Sequence, residues 1–268
     1  LCGEEELVNA GDNIDLLAYD EWSGCYIMPE LIAAFVTPNH PAVSGILKIA
    51  TDYLRKWGKD PSITGYQSRN ADVVKLQMAA VYAALQSKNI VYNNPPASFE
   101  KAGQRVRLPY SVGEQKQGTC IDLAVTYASC LEAAGLFPLI MIKKGHAYCG
   151  CRLEEETFAD CVIDDFSAID KRTVSGNEDI LLVECTDFTA GEKIDFDRAV
   201  KHGKNNLSDS ENFICAVDVR RARAGGLRPI PQKIDSNSIC GYDGTVDSVS
   251  DYQAAAPKKL NRSGTGVI

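Results

Sequence analysis

Residues 117–153 read "QGTCIDLAVTYASCLEAAGLFPLIMIKKGHAYCGCRL", and the architecture of the chain turns on this stretch. Thr119 is of a type that caps helix starts and Gly135 of the type that stops them, so the pattern predicts a helix from Cys120 to about Ala134. Apolar residues cover most of that helix, leaving Asp122, Thr126, Ser129 and Glu132 as a narrow polar stripe. A helix so nearly apolar all round sits at the centre of a fold. The runs "LFPLIMI" and "HAYCGCRL" follow as two strands joined by a Lys-Lys-Gly turn. Alternation along the second strand puts Ala147, Cys149, Cys151 and Leu153 on one face and His146 on the other.

Upstream of this stretch the chain reads as mainly helical. Residues 1–24 form a turn-rich, acidic entry in which "IDLLAY" is a short strand. Pro29 opens a helical run that Pro38 and Pro41 break. From Pro41, the residues Val43, Ile46, Leu47, Ala50 and Leu54 make one apolar stripe that ends at Gly58. "ADVVKLQMAAVYAALQSKN", residues 71–89, is a second helix, with alanines that allow close packing. Residues 92–117 are rich in turn formers and read as loop and short strand.

Downstream, residues 154–179 read as an acidic, turn-rich insertion, a lid or substrate rim favouring basic partners. "DILLVECTDF" is a third strand, "DFDRAVKHGKNNL" a short amphipathic helix, and "NFICAVDVRRAR" a strand with a basic end. The organisation expected is therefore a mainly helical portion over 1–110, a core over 111–232, and a polar linker or disordered tail over 233–268.

Composition narrows the function. A net charge of −8 over 268 residues offers no bulk attraction to nucleic acid or anionic membrane. No apolar run approaches the roughly 18 residues of a membrane span. The chain opens on Leu1 without a signal-peptide pattern and reads as a piece of a longer, cytoplasmic protein. Ten cysteines without a CxxC pair, and three histidines, fit reduced thiols better than a disulfide framework. Neither a metal nor a cofactor is expected from these spacings.

One constellation carries chemistry. Partial positive charge at a helix start favours a thiolate, and Cys120 occupies that position. The free amides there are suited to holding an oxyanion, with Gln104 or Gln117 as the side-chain donor. Cys130, further along the same helix, gains neither benefit and belongs to the core. His146 begins the second hairpin strand, where it can act as base and then acid. A third group must orient its ring. Glu184, a lone carboxylate inside "LLVECT", is the first choice; Asp187, Asp164 and Asp165 are alternatives. His40, between two prolines, reads as a turn residue, and "RRARAGGLRPIPQK" as a solvated strand end. "AGG" at 224–226 lacks the Lys-Ser/Thr of a phosphate loop.

Cysteine at a helix start, histidine on the next hairpin and an acid after it resembles the order of the transglutaminase-like (papain-like) superfamily. "GTCIDLA" is similar to the family's Gly-x-Cys-x-Asp pattern, and "GHAYCGCRL" to its Gly-His-Ala-aromatic strand. In "VECT", Glu184 stands where the family usually has aspartate, and Cys185 where it has proline. "PELIAAFVTPNHPAV", "PPASFEKAGQRVRLP" and "VRRARAGGLRPIP" resemble a transglutaminase-like module of large bacterial proteins, which typically precedes a helicase-like region. The resemblance implies an α+β fold, the Cys120 helix packed on an antiparallel sheet. It also implies a cysteine protease-like hydrolase acting on peptide or isopeptide bonds of a protein substrate, with no cofactor. The same acyl-enzyme would serve a transglutaminase or a glutamine deamidase. A scaffold that keeps the fold without the chemistry is the rival from a different class.

Overall fold

The structure, a computed structural model, describes residues 11, 16–94, 104–176, 178–208, 210–231 and 254–260. Two-residue strand β1 (Glu21–Trp22) leads through a 3-10 turn at Pro29–Leu31 into the short helix α1 (Ile32–Phe35). Part of "IDLLAY" lies outside the described residues, and its described end is not strand; pairing begins at Glu21. Helix α2 (Pro41–Lys56) starts at Pro41, which fits a first turn, and buries Val43, Ile46, Ala50, Tyr53 and Leu54. His40 caps it, its Nδ1 accepting from the Ala42 N–H at 3.1 Å, which settles that histidine as a turn residue.

Helix α3 (Ala71–Gln86) is buried around nearly its whole surface, and its alanines let α2 and the central helix approach from two sides. Strands β2 (Val91–Tyr92) and β3 (Gln104–Arg105) flank a stretch, 95–103, outside the described residues. Helix α4 (Pro109–Gln115) occupies what the turn-rich composition suggested was loop. It is seven residues long and contains a glycine, so local propensity is weak; Pro109 at its start and the burial of Val112 hold it. Strand β4 (Gln117–Gly118) then pairs in parallel with β2.

The central helix α5 (Cys120–Ala133) begins with a capping box: Thr119 accepts from the Asp122 N–H, and the Asp122 carboxylate accepts from the Thr119 N–H. Its polar stripe lies inside the protein. Asp122 also accepts from the Arg107 backbone N–H and guanidinium, at 2.7 and 3.1 Å. Thr126 and Ser129 donate back to the carbonyls of Asp122 and Val125, and Ser129 accepts from the Thr37 N–H. Buried polar groups survive there because each has a partner.

Strands β5 (Pro138–Lys143) and β6 (His146–Arg152) form the expected hairpin, turned at Gly145, whose φ of 72° suits glycine. The acidic stretch supplies β7 (Val162–Ile163) and α6 (Phe166–Asp170). Strand β8 (Ile180–Val183) ends five residues before its sequence pattern does (188 − 183); the chain turns at Glu184 into a 3-10 segment, Cys185–Phe188. Helix α7 (Phe196–Leu207), strand β9 (Phe213–Asp218) and helix α8 (Val219–Ala224) complete the series. The basic end of the last run is thus helical. Its arginines are largely employed inside the molecule: Arg223 grips both oxygens of Glu132 and the Val36 carbonyl, and Arg221 donates to Ala159.

The five-stranded sheet runs β7-β9-β5-β6-β8 with every neighbouring pair antiparallel, so the fold is α+β. Its face bearing Ile140, Ala147, Cys149, Cys151, Val183 and Val217 packs, with α5, into the main core. The opposite face, with Leu139, Met141, Tyr148, Ile163 and Leu182, is covered by Ile169 of α6 and Leu207 of α7. The acidic stretch is therefore an integral edge strand and cover of the sheet. Within the stretch expected to be linker, residues 233–253 and 261–268 lie outside the described residues. Residues 254–260 are docked: the Trp57 indole donates to the Ala254 carbonyl, and the N–H groups of Lys258 and Leu260 donate to Asp197 and Asp72. No helix among the described residues is long and apolar enough to cross a membrane.

Candidate active site

Cys120 is the first residue of α5, where a helix offers no intrahelical partner for its N–H groups. The thiol is half-buried. His146 is the first residue of β6, at the end of the strand, and although its alternation partner Tyr148 lies on the face away from α5, the imidazole is close to the helix start. Its Nε2 lies 2.7 Å from Glu184 Oε2, and the ring is also within hydrogen-bonding reach of the Cys120 side chain. With Nε2 held by the carboxylate, Nδ1 is the ring nitrogen left to face the sulfur. Tyr148 lies alongside, its ring 6.2 Å from the imidazole and nearly parallel to it.

Burial alone would lower the His146 imidazole, but hydrogen bonds to Cys120 and Glu184 and the charges on both push it up to about 10. An imidazolium paired with a carboxylate and set beside a cysteine is the arrangement that favours a thiolate. Burial opposes the Glu184 anion as well. The His146 hydrogen bond and charge, with the Thr186 N–H and hydroxyl, nevertheless hold its carboxyl below the usual value.

Glu184 is 6% exposed and surrounded by donors. Oε2 accepts from His146 and, at 2.6 Å, from the Asn206 amide; Oε1 accepts from the Thr186 N–H at 2.9 Å and its hydroxyl at 2.8 Å. The residue is not on a central strand. It caps the 3-10 turn that follows β8, the strand at one edge of the sheet. This placement answers the desolvation problem, because the turn supplies two donors and α7 a third.

The alternative acids are placed elsewhere. Asp187 accepts from His202 Nδ1 at 2.7 Å and clamps the 3-10 turn to α7. Asp165 caps α6 through the Ser167 N–H and hydroxyl. Asp164 precedes it on the far side of the sheet, next to β7. Gln104 sits in β3 opposite Trp22, and Gln117 in β4 opposite Val91. Among the described residues, neither glutamine makes a hydrogen bond to Cys120 or His146.

Three contributors escaped the sequence pattern. Asn206 reaches Glu184 from α7, one helical turn after His202, and that spacing within "KHGKNNL" was the available signal. Thr186 holds Glu184 locally, a short-range Glu-x-Thr relation. Tyr92 opens a stretch whose composition reads as loop; the β2–β4 pairing brings it against Cys120, 28 positions along the chain (120 − 92).

The remaining described cysteines are free thiols in different surroundings. Burial pushes Cys130, Cys151 and Cys215 up to about 12, and Cys149 and Cys185 also well above the ordinary thiol value. Burial raises Cys25 and Cys161 too. Cys149 and Cys151 share their sheet face with Ala147, against α5, and are core residues. No family model, no curated protein and no solved structure matches this chain.

Proposed function

We propose that the chain is a transglutaminase-like cysteine hydrolase acting on peptide or isopeptide bonds, with Cys120 as nucleophile, His146 as acid and base, and Glu184 as the residue that orients the ring. The observation that carries this reading is the continuous line from the Cys120 thiol through His146 to a Glu184 carboxylate that accepts four hydrogen bonds. A core histidine needs no partner at a helix start, and a buried carboxylate needs no imidazole when three other donors are at hand. Their convergence on the thiol is what nucleophilic catalysis requires.

In this mechanism the Cys120 thiolate attacks the carbonyl carbon. His146 gives its proton to the leaving amine, and the acyl group stays on sulfur. Water, deprotonated by His146, then releases the acid and restores the ion pair. Glu184 stays ionised throughout, holding the tautomer and stabilising the imidazolium.

Iodoacetamide at neutral pH, followed by peptide mass spectrometry, tests the first step. Cys120 should be alkylated well ahead of every other cysteine, and a wild-type sample treated with p-nitrophenyl acetate should carry an acetyl group there. Uniform slow alkylation, or Cys25 or Cys161 reacting first, would remove the nucleophile and leave the scaffold reading.

A further inference from the structure

Tyr92 stands beside the thiol, and the chemistry above leaves it without a task. It lies in β2, in parallel register with Gly118 of β4, two residues before Cys120. The ladder is fixed by the Val91 and Asn93 N–H groups donating to the Lys116 and Gly118 carbonyls at 2.8 and 2.9 Å. The phenol is within hydrogen-bonding reach of the Cys120 side chain, and the residue is 37% exposed.

Resting on the reading of Cys120 as nucleophile, we propose that Tyr92 is a catalytic residue that donates its phenolic O–H to the oxyanion formed during acyl transfer. As Sγ bonds to the carbonyl carbon, the C=O π pair moves onto oxygen. The Cys120 backbone N–H, unused by the helix, is one donor to that oxygen, and the Tyr92 hydroxyl is the second. Neither donor gives up its proton. Collapse re-forms the carbonyl, breaks the bond to the leaving group, and sends the His146 proton to a leaving amine. In the second half, water adds its hydroxyl to the acyl carbon and its proton to His146. Collapse then expels the thiolate and frees the acid.

Position and chemistry agree on this role. The oxygen of a tetrahedral adduct sits one bond from the carbon attached to sulfur, so a hydroxyl that reaches Sγ reaches that oxygen with a small swing. Burial, followed by the charges of Cys120 and Glu184, raises the phenol above its ordinary value and keeps it a protonated donor. The two glutamines that composition offered for this task lie in register positions opposite Trp22 and Val91.

The test is Tyr92→Phe in the full chain, read with two probes. Iodoacetamide reacts at a saturated carbon and forms no oxyanion; p-nitrophenyl acetate transfers its acyl group through one. We expect the acetylation rate constant of Cys120 to fall by about 10²–10³. Alkylation should change by less than about tenfold, since the ion pair is intact. The assignment is overturned if both rates fall together, which makes the phenol a support for the sulfur. It is equally overturned if alkylation rises without loss of acetylation, which makes it a gate, or if neither rate moves. Wild type is measured first: a Cys120 that is neither alkylated preferentially nor acetylated overturns the nucleophile itself, a failure distinct from that of Tyr92.

Discussion

Replacing Glu184 with glutamine keeps the shape of the side chain and changes what it can accept. Four donors converge on it: His146 Nε2 and Asn206 Nδ2 on one oxygen, the Thr186 N–H and hydroxyl on the other, all between 2.6 and 2.9 Å. A carboxylate can accept all four, whereas an amide has one oxygen and one NH₂. If the NH₂ group takes the place of Oε1, it faces the Thr186 N–H, and a partly buried backbone donor loses its acceptor. If it takes the place of Oε2, Asn206 must flip, and His146 must become neutral with its proton on Nδ1, the nitrogen needed at Cys120. Either choice removes the charge that holds the imidazolium. Hydrogen bonds to a charged group are each worth about 1.5–3 kcal/mol, and the easier burial of an amide offsets part of their loss. A net destabilisation of about 1–3 kcal/mol follows, or about 3–9 °C in Tm. Acyl transfer should suffer far more, by about 10²–10⁴, because the tautomer is wrong for the reaction. The assay pairs thermal unfolding with the p-nitrophenyl acetate burst, and Asp187→Asn is the control, since Asp187 serves His202. A Glu184→Gln protein with unchanged Tm and an undiminished burst would refute both the donor accounting and the triad.

Two further outcomes follow from the same geometry. His146 is raised from its usual 6.5 to about 10 in the folded chain, so its contribution to stability is complete below about pH 6.5 and disappears as pH rises through about 10. The Tm difference between wild type and His146→Gln should accordingly shrink from pH 6 to pH 10; a difference that grows over that range would contradict the imidazolium. Gly203 of α7 lies on β8, and a Cβ there would stand 2.7 Å from the Leu182 carbonyl carbon and 2.8 Å from the Val183 nitrogen. Gly203→Ala must push α7 back by about 0.7 Å (3.4 − 2.7) and loosen Asn206 from Glu184, costing about 1–3 kcal/mol against a helix-propensity gain near 1 kcal/mol. Thermal unfolding and the acetylation burst should both decline, and a variant as stable and active as wild type would show that α7 is free to shift.

The chain's local chemistry was enough to determine α5 and its hairpin. Thr119, the apolar circumference and Gly135 delimit one helix, and strict alternation after Gly145 puts His146 and Cys149 on opposite faces of a strand. These are short-range effects, expressed by capping groups and by the period of each element, so they can be read without knowing what packs where. Tertiary structure decided the rest. Strand β8 stops at Val183 because Glu184 caps a turn, and that position, not strand alternation, gives the carboxylate its donors. Asn206 meets it through the close approach of α7 at Gly203, and Tyr92 meets Cys120 through a parallel pair of two-residue strands too short to announce themselves. Residues 161–163 became an edge of the sheet because β9 offered an unpaired ladder, as the Asp218 N–H donation to the Cys161 carbonyl shows. In each case the deciding energy is a contact between segments distant in sequence, and such contacts leave no periodicity in either partner.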